Sequence, residues 1–166
     1  MRRRGHGPAE ASGRNYTGAV YGSLLAASVI ATAGTLGPFP RLQLVVMLIT
    51  TGLIFWITHV YADLVGNRLA HRAPSWGVIR RAARREWPIA GAALPPAAAV
   101  ALSPFVGLTP GDTAWLGLAV AITDQVAWAT AAVVRAGAPR RLIVVNGAVN
   151  LLLGLAIVAA KAVVQH

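Results

Sequence analysis

The sequence predicts an all-α, polytopic integral membrane protein built as a bundle of five transmembrane helices. Three observations support this prediction: an apolar composition, five apolar segments of membrane-spanning length, and arginines concentrated between alternate segments. Of the 166 residues, 56% are hydrophobic and only 12% are charged, with a mean hydropathy of +0.60. A soluble domain of this size is about a quarter charged. Much of the surface must therefore face something other than water.

Five segments of the chain reach the length of about 20 mostly apolar residues that a helix needs to cross a bilayer core of about 30 Å. They are residues 17–36, 42–63, 88–106, 113–134 and 142–163, of which 88–106 is the least apolar. Pro/Gly turn signals separate most of them. We expect residues 1–16 to form a basic cytoplasmic tail without ordered structure, and residues 17–164 to form one bundle with a cytoplasmic loop at 65–87.

The arginines predict the orientation of the bundle. Residues 1–16, the loop 65–87 and the loop 135–141 hold thirteen of the fourteen arginines, whereas the opposite side holds only Arg41 and Lys161. Because positive residues stay on the cytoplasmic side, the N-terminus should lie inside and the C-terminus outside. The formal net charge of +10 is then mainly a topology signal, reinforced by anionic lipid headgroups, and we expect no nucleic-acid partner.

The first span has a second interpretation. A basic start followed by an apolar segment and Ala31-Thr32-Ala33 also resembles a secretory signal peptide with its cleavage site. The full span length and the polar stripe that includes Tyr21 and Ser28 favour a retained helix packed inside a bundle. The other four spans would keep their orientation in either case.

The loop 65–87 contains a predicted short amphipathic helix that begins at Pro74-Ser75. Trp76, Ile79, Ala83 and Trp87 would share one face, so the helix suits the cytoplasmic membrane surface. The candidate headgroup-binding residues are Arg80, Arg81, Arg84 and Arg85. They would bind lipid headgroups or phosphate, or they would only anchor the helix by extending to the interface.

Polar residues inside the spans mark candidate sites, because ionisable groups are costly in a bilayer. Asp124 would lie near the midplane, about 17 Å into the fourth span, with Gln125 beside it. In the fifth span, Asn146 and Asn150 would lie one turn apart in the inner half. Each of these residues either hydrogen-bonds a neighbouring helix or contributes to a polar site.

Two further features complete the candidate site. Pro95-Pro96 would interrupt the third span, and the freed carbonyls would face either a packed kink or a binding cavity. His59 and Asp63 are spaced i,i+4 near the inner end of the second span. They form either a proton relay or acid–base pair, or a single interhelical hydrogen bond and a carboxylate that reaches water. With Tyr21, these residues could share one pocket open to the cytoplasm.

The sequence contains no nucleotide-binding, zinc-protease or nucleophile-elbow motif and no cysteine, and we expect neither a metal nor another cofactor. We predict a small multi-pass protein of a bacterial plasma membrane, of a transport or channel type, that forms a homo-oligomer or binds a membrane partner. A non-catalytic accessory or scaffold subunit is the alternative. An enzyme acting on a lipid or prenyl substrate through His59 and Asp63 is the second alternative, although we expect a protein that is not an enzyme.

Overall fold

The computed structural model describes residues 8–33, 40–68 and 75–164, and all regular structure within them is helical. The long helices are α1 (Pro8–Ala33), α2 (Arg41–Arg68), α5 (Pro110–Arg135) and α6 (Arg140–Val164). Between α2 and α5 lie α3 (Trp76–Gly91), α4 (Leu94–Leu102) and a 3₁₀ turn (Ser103–Val106). The predicted all-α class is confirmed.

Among the described residues, four helices are long and apolar enough to cross a membrane, namely α1, α2, α5 and α6. The third predicted span, residues 88–106, falls on the end of α3, on α4 and on the 3₁₀ turn, and the two halves of this helix pair are bent by 41° at a short break. The described part of the chain is therefore a multi-pass helix bundle with four candidate membrane spans, or five if the bent pair crosses as one.

The break between α3 and α4 follows from Pro95-Pro96. A proline at position i cannot donate to the carbonyl at i−4, so the helical ladder cannot continue past Gly91 and Ala92. The chain turns at Ala92 and Ala93, and α4 begins again with the prolines in its first turn, where free N–H groups are not needed. The predicted interruption thus lies a few residues before the prolines themselves.

The helix boundaries differ from the predicted spans at two places. α1 begins at Pro8 and so extends into residues 8–16, which the sequence assigns to a disordered tail. α3 runs from Trp76 through Pro88 without a break, so the predicted amphipathic helix and the start of the predicted third span form one helix. The predicted helix start at Pro74 lies outside the described residues, and Ser75 is the N-cap of α3.

α5 runs antiparallel to both α1 and α6, as paired contacts show. Ser23 of α1 meets Asp124 of α5, and Tyr16 packs against Trp128, one turn further along α5. One end of the bundle, here called the arginine end, holds the first turns of α3 and α6 and the last turns of α2 and α5. Among the arginines whose side chains the structure describes, this end holds Arg80, Arg81, Arg84, Arg85, Arg135, Arg140 and Arg141. The described cations of the opposite end are Arg41 and Lys161.

α1 packs against α5, α3, α2 and α6 and lies at the centre of the bundle. Glycines permit these close approaches: a Cβ on Gly22 would collide with the carbonyl oxygen of Ile89, and one on Gly117 would lie 2.9 Å from Val100. Ile30, Leu48, Val100 and Leu118 are among the fully buried core side chains.

Candidate functional site

Asp124, the predicted midplane carboxylate, lies between α5 and α1. The Ser23 hydroxyl donates a hydrogen bond of 2.6 Å to Asp124 Oδ2. Ser23 itself is fully buried, and its hydroxyl also lies 3.0 Å from the Ala19 carbonyl oxygen. The arrangement fixes the rotation of α5 against α1 and leaves the carboxylate half-buried.

Gln125, Asn146 and Asn150 form a second polar cluster between α5 and α6. Gln125 Nε2 lies 3.3 Å from both the backbone oxygen and Oδ1 of Asn150, and Asn146 Nδ2 donates to the Ala129 carbonyl at 2.9 Å. Asn150 Nδ2 donates to the Asn146 carbonyl at 2.9 Å. Gln125 Oε1 is buried and has no hydrogen-bond partner among the described residues. The cluster joins two helices but leaves one acceptor unsatisfied.

His59 faces α1. Its ring lies 5.5 Å from the ring of Tyr21, which also packs edge-on against Phe55 at 6.0 Å. His59 Nδ1 lies 2.9 Å from the Phe55 carbonyl oxygen, within its own helix. The imidazole is thus oriented by α2 itself and packs on an aromatic side chain of α1.

Asp63 lies one turn beyond His59, where it makes an ion pair with Arg85 of α3. Arg85 also pairs with the neighbouring Glu86 at 3.2 Å. Trp56 reinforces this contact between α2 and α3, because its Nε1 donates to the Ala83 carbonyl at 2.8 Å. Of the four predicted headgroup-binding arginines, Arg85 is therefore engaged within the protein.

Arg80, Arg81 and Arg84 are exposed on the outer face of α3. Trp76 and Trp87, on the predicted apolar face of this helix, are also exposed, and Trp87 packs edge-on against Trp56 at 5.4 Å. Exposed arginines beside exposed tryptophans suit a membrane interface. Whether α3 lies along the membrane surface stays a prediction.

A polar cluster that the sequence analysis did not identify lies at the end opposite the arginine end. Arg41 donates to the Leu108 carbonyl and to Thr113 Oγ1, the latter at 3.2 Å. Thr113 Oγ1 in turn donates to Ser103 Oγ at 2.9 Å. These contacts tie the start of α2 to the turn between α4 and α5.

Lys161 is buried at the same end. Its Nζ lies 4.4 Å from the centre of the Trp115 ring and has no hydrogen-bond partner among the described residues. The indole face attracts the ammonium group, which compensates for part of the lost hydration.

The predicted polar residues belong to separate helix contacts. His59 lies between α2 and α1, Asp124 between α5 and α1, and Asn150 between α5 and α6. A cavity of about 640 Å³ on the outer side of α5 contains none of these three side chains in its lining. A void of about 10 Å³ near Gly22, Gly52 and Ala93 does not contain them either.

The sequence analysis also missed Ser23, the partner of Asp124. A small polar residue on the first span at a similar depth was the available signal, but serine in a membrane helix commonly bonds its own backbone. Ser23 does both. The Ser23 hydroxyl also faces Asp124 because of how α1 is rotated about its axis, which only the structure reveals.

Within the described part of the chain, no group of three His, Cys, Asp or Glu side chains is placed to hold a metal ion. Searches against protein-family models, curated proteins and solved structures returned no match.

Proposed function

We propose that this protein is a non-catalytic accessory or scaffold subunit of the bacterial plasma membrane, which works by association with a membrane partner. The observation that carries the proposal is the separation of His59, Asp124 and Asn150 into three helix contacts. A transport site or an active site needs its polar groups around one shared volume. Polar groups that each lie at a different helix–helix contact instead hold the bundle together.

The outer surface supports the same proposal. α6 exposes Leu142, Val144, Leu152 and Leu155 along most of its length. This face suits lipid or the helix of another membrane protein, and its position at the edge of the bundle keeps the central helices α1 and α5 intact when a partner binds. We place the arginine end in the cytoplasm, as the positive-inside rule predicts.

Asp124→Asn tests the proposal. Asparagine keeps one carboxamide oxygen for the Ser23 hydroxyl but replaces the second carboxylate oxygen with an NH₂ donor, so it does not reproduce the polar contact of the carboxylate. We expect a loss of stability of about 1 kcal/mol, typical of an interhelical hydrogen bond. The measurement is the thermal unfolding midpoint in detergent at a fixed scan rate. Ser23→Ala should lower the midpoint by a similar amount.

Proteoliposomes separate this proposal from transport. A trapped pH-sensitive dye would report proton flux for the wild type and for Asp124→Asn, with Asp112→Asn as the control because Asp112 is exposed at the start of α5. We expect no protein-dependent flux. Flux that the wild type and Asp112→Asn support, and that Asp124→Asn abolishes, would overturn the scaffold proposal.

Transport remains the second candidate because of the broken third span. Interrupted helices at midplane depth line substrate sites in many transporters. The break at Ala92 and Ala93 borders the small void near Gly22 and Gly52. The flux measurement decides between the two functions, since only a transporter requires an ionisable Asp124.

A further inference from the structure

A groove on the outer face of α5 is not used by any of the polar contacts described above. It is an open groove with a volume of about 640 Å³, and it is lined by α5 between residues 122 and 135 and by Leu151 of α6. Its floor is shallow because Ala127, Ala131 and Thr123 have small side chains. The walls are almost entirely apolar, except for threonine hydroxyls and one guanidinium group at the end.

The length of the groove fits one leaflet of a bilayer. Residues 122 and 135 are thirteen positions apart, which at 1.5 Å per residue is about 20 Å. A bilayer core is about 30 Å thick, so one leaflet contributes about 15 Å of hydrocarbon. The groove is therefore long enough for one lipid acyl chain and the beginning of the lipid headgroup. It is too short to hold a partner helix that would contact α5 across the whole membrane.

Positive charge marks one end of the groove. Arg135 lines it in the last turn of α5, where its guanidinium carbon lies 5.6 Å from the centre of the Tyr16 ring. Arg140 and Arg141 begin α6 just across the short loop, and both are exposed. Stacking on tyrosine orients the Arg135 guanidinium but supplies no counter-charge.

The acidic side chains that the structure describes have partners elsewhere. Asp63 and Glu86 both pair with Arg85, Asp112 accepts from Thr109, and Asp124 accepts from Ser23. Both ion pairs among the described residues involve Arg85. The positive charge of Arg135 at the end of the groove is therefore not balanced by any described acidic side chain.

We propose that this groove binds one anionic glycerophospholipid, with its phosphate at Arg135 and an acyl chain along α5. Apolar walls over the length of one leaflet select a lipid tail, and the guanidinium at the end selects an anionic headgroup. A second copy of the chain fits less well, because a parallel copy would bring two clusters of Arg135, Arg140 and Arg141 together. The site does not depend on the proposed scaffold function.

Native mass spectrometry of the purified full chain tests the headgroup end. The protein is equilibrated in detergent with equal amounts of dioleoyl phosphatidylglycerol and dioleoyl phosphatidylcholine, and the two singly lipidated species are compared. We expect the wild type to prefer phosphatidylglycerol. Arg135→Gln should reduce this preference about fivefold, which is about 1 kcal/mol. Arg135→Lys keeps the charge and should keep the preference.

Arg41→Gln is the matched control for charge, because Arg41 lies at the opposite end of the bundle from Arg135 and does not line the groove. It should leave the preference at the wild-type value. Equal losses in Arg135→Gln and Arg41→Gln would mean that lipids respond only to the overall charge, and the proposal would be overturned. So would the absence of any preference in the wild type.

Filling the groove tests the acyl-chain end. Ala127→Phe should lower the amount of bound lipid of both kinds, whereas Ala148→Phe, on the exposed surface of α6, should not. Unchanged binding in Ala127→Phe would overturn the proposal. A wild-type dimer that Ala127→Phe dissociates, without preferential lipid binding, would show that the groove takes a second copy of the chain instead.

Discussion

α1 and α6 are both long apolar helices, yet they occupy opposite positions in the bundle. Half of the apolar window of α1 is buried, against 11% for α6, although the hydropathy of α6 is 2.4 and that of α1 only 1.3. The more apolar helix is thus the more exposed one. In lipid, apolar surface gives no drive to pack, and helices associate through small residues and polar groups.

The contacts of the two helices follow the same rule. α1 places Gly22 directly against the backbone of Ile89 in α3, and Gly18 against the side chain of the same residue. α6 makes one comparably close approach, at Gly154, where it meets only the side chain of Ile122. At Gly22, α1 is therefore held against backbone, whereas α6 is held against a side chain and by the amide cluster of Gln125 and Asn150.

The largest effect on stability is expected from replacing one close-packed glycine by alanine in α1 and, for comparison, one in α6. The Cβ of Gly22→Ala would meet a backbone carbonyl and lie 2.9 Å from the Ala92 Cβ, so we expect a loss of about 3 kcal/mol or more. The Cβ of Gly154→Ala would lie 2.6 Å from Ile122 Cγ2, a methyl group on a stiff β-branched side chain that must shift to make room. The higher helix propensity of alanine, about 1 kcal/mol, would offset part of that clash, so we expect a loss smaller than that of Gly22→Ala.

Thermal unfolding midpoints in detergent check this difference, with Gly147→Ala as the control. Its Cβ would lie 3.8 Å from the Thr130 hydroxyl oxygen, an ordinary contact, so the midpoint should not fall. Equal losses for Gly22→Ala and Gly154→Ala would contradict the distinction between the two helices.

A smaller effect is expected from the amides that hold α6. Asn150→Leu removes the side-chain acceptor Oδ1 and leaves Gln125 only the backbone oxygen of residue 150, so it should lower stability by about 1 kcal/mol. Combining it with Gln125→Leu also removes the amide of Gln125 that the single change leaves under-paired, so the double variant should recover most of that loss. A double-mutant cycle on the unfolding midpoints checks the coupling. Additive losses would show that the two amides do not act as a pair.

The smallest effect is expected at the arginine end, where Asp63 and Arg85 join α2 and α3 close to water. Both side chains are partly exposed, so solvent screening limits their coupling to about 0.5 kcal/mol. Asp63→Asn, Arg85→Gln and the double variant should show this coupling at low salt and lose most of it at 1 M salt. Coupling that persists at high salt would mean that the pair is shielded from water.

Much of the fold could be predicted from composition, because each span is a local property of about 20 residues. The predicted segments 113–134 and 142–163 lie within α5 and α6 and miss their ends by only one to three residues. The run of α3 through Pro88 was not predictable in this way, since proline is tolerated in a membrane helix when its neighbours satisfy the freed carbonyl.

The sequence predicted the individual residues of the candidate site but not how their side chains are arranged relative to one another. Asp124, Gln125 and Asn150 do take part in interhelical hydrogen bonds, whereas the sequence left open whether they share one pocket. Their faces depend on the rotation of each helix about its own axis. A rotation of one residue, about 100°, changes which neighbour a side chain meets.

The sequence by itself determined that this chain is a bundle of apolar helices, that its arginines gather at one end, and that a few polar groups lie at membrane depth. Only the tertiary structure decided that His59 faces Tyr21, that Asp124 meets Ser23, and that Arg135 closes an open apolar groove. The physical reason is that span length follows from local hydropathy, whereas partner choice follows from where glycines let the backbones approach.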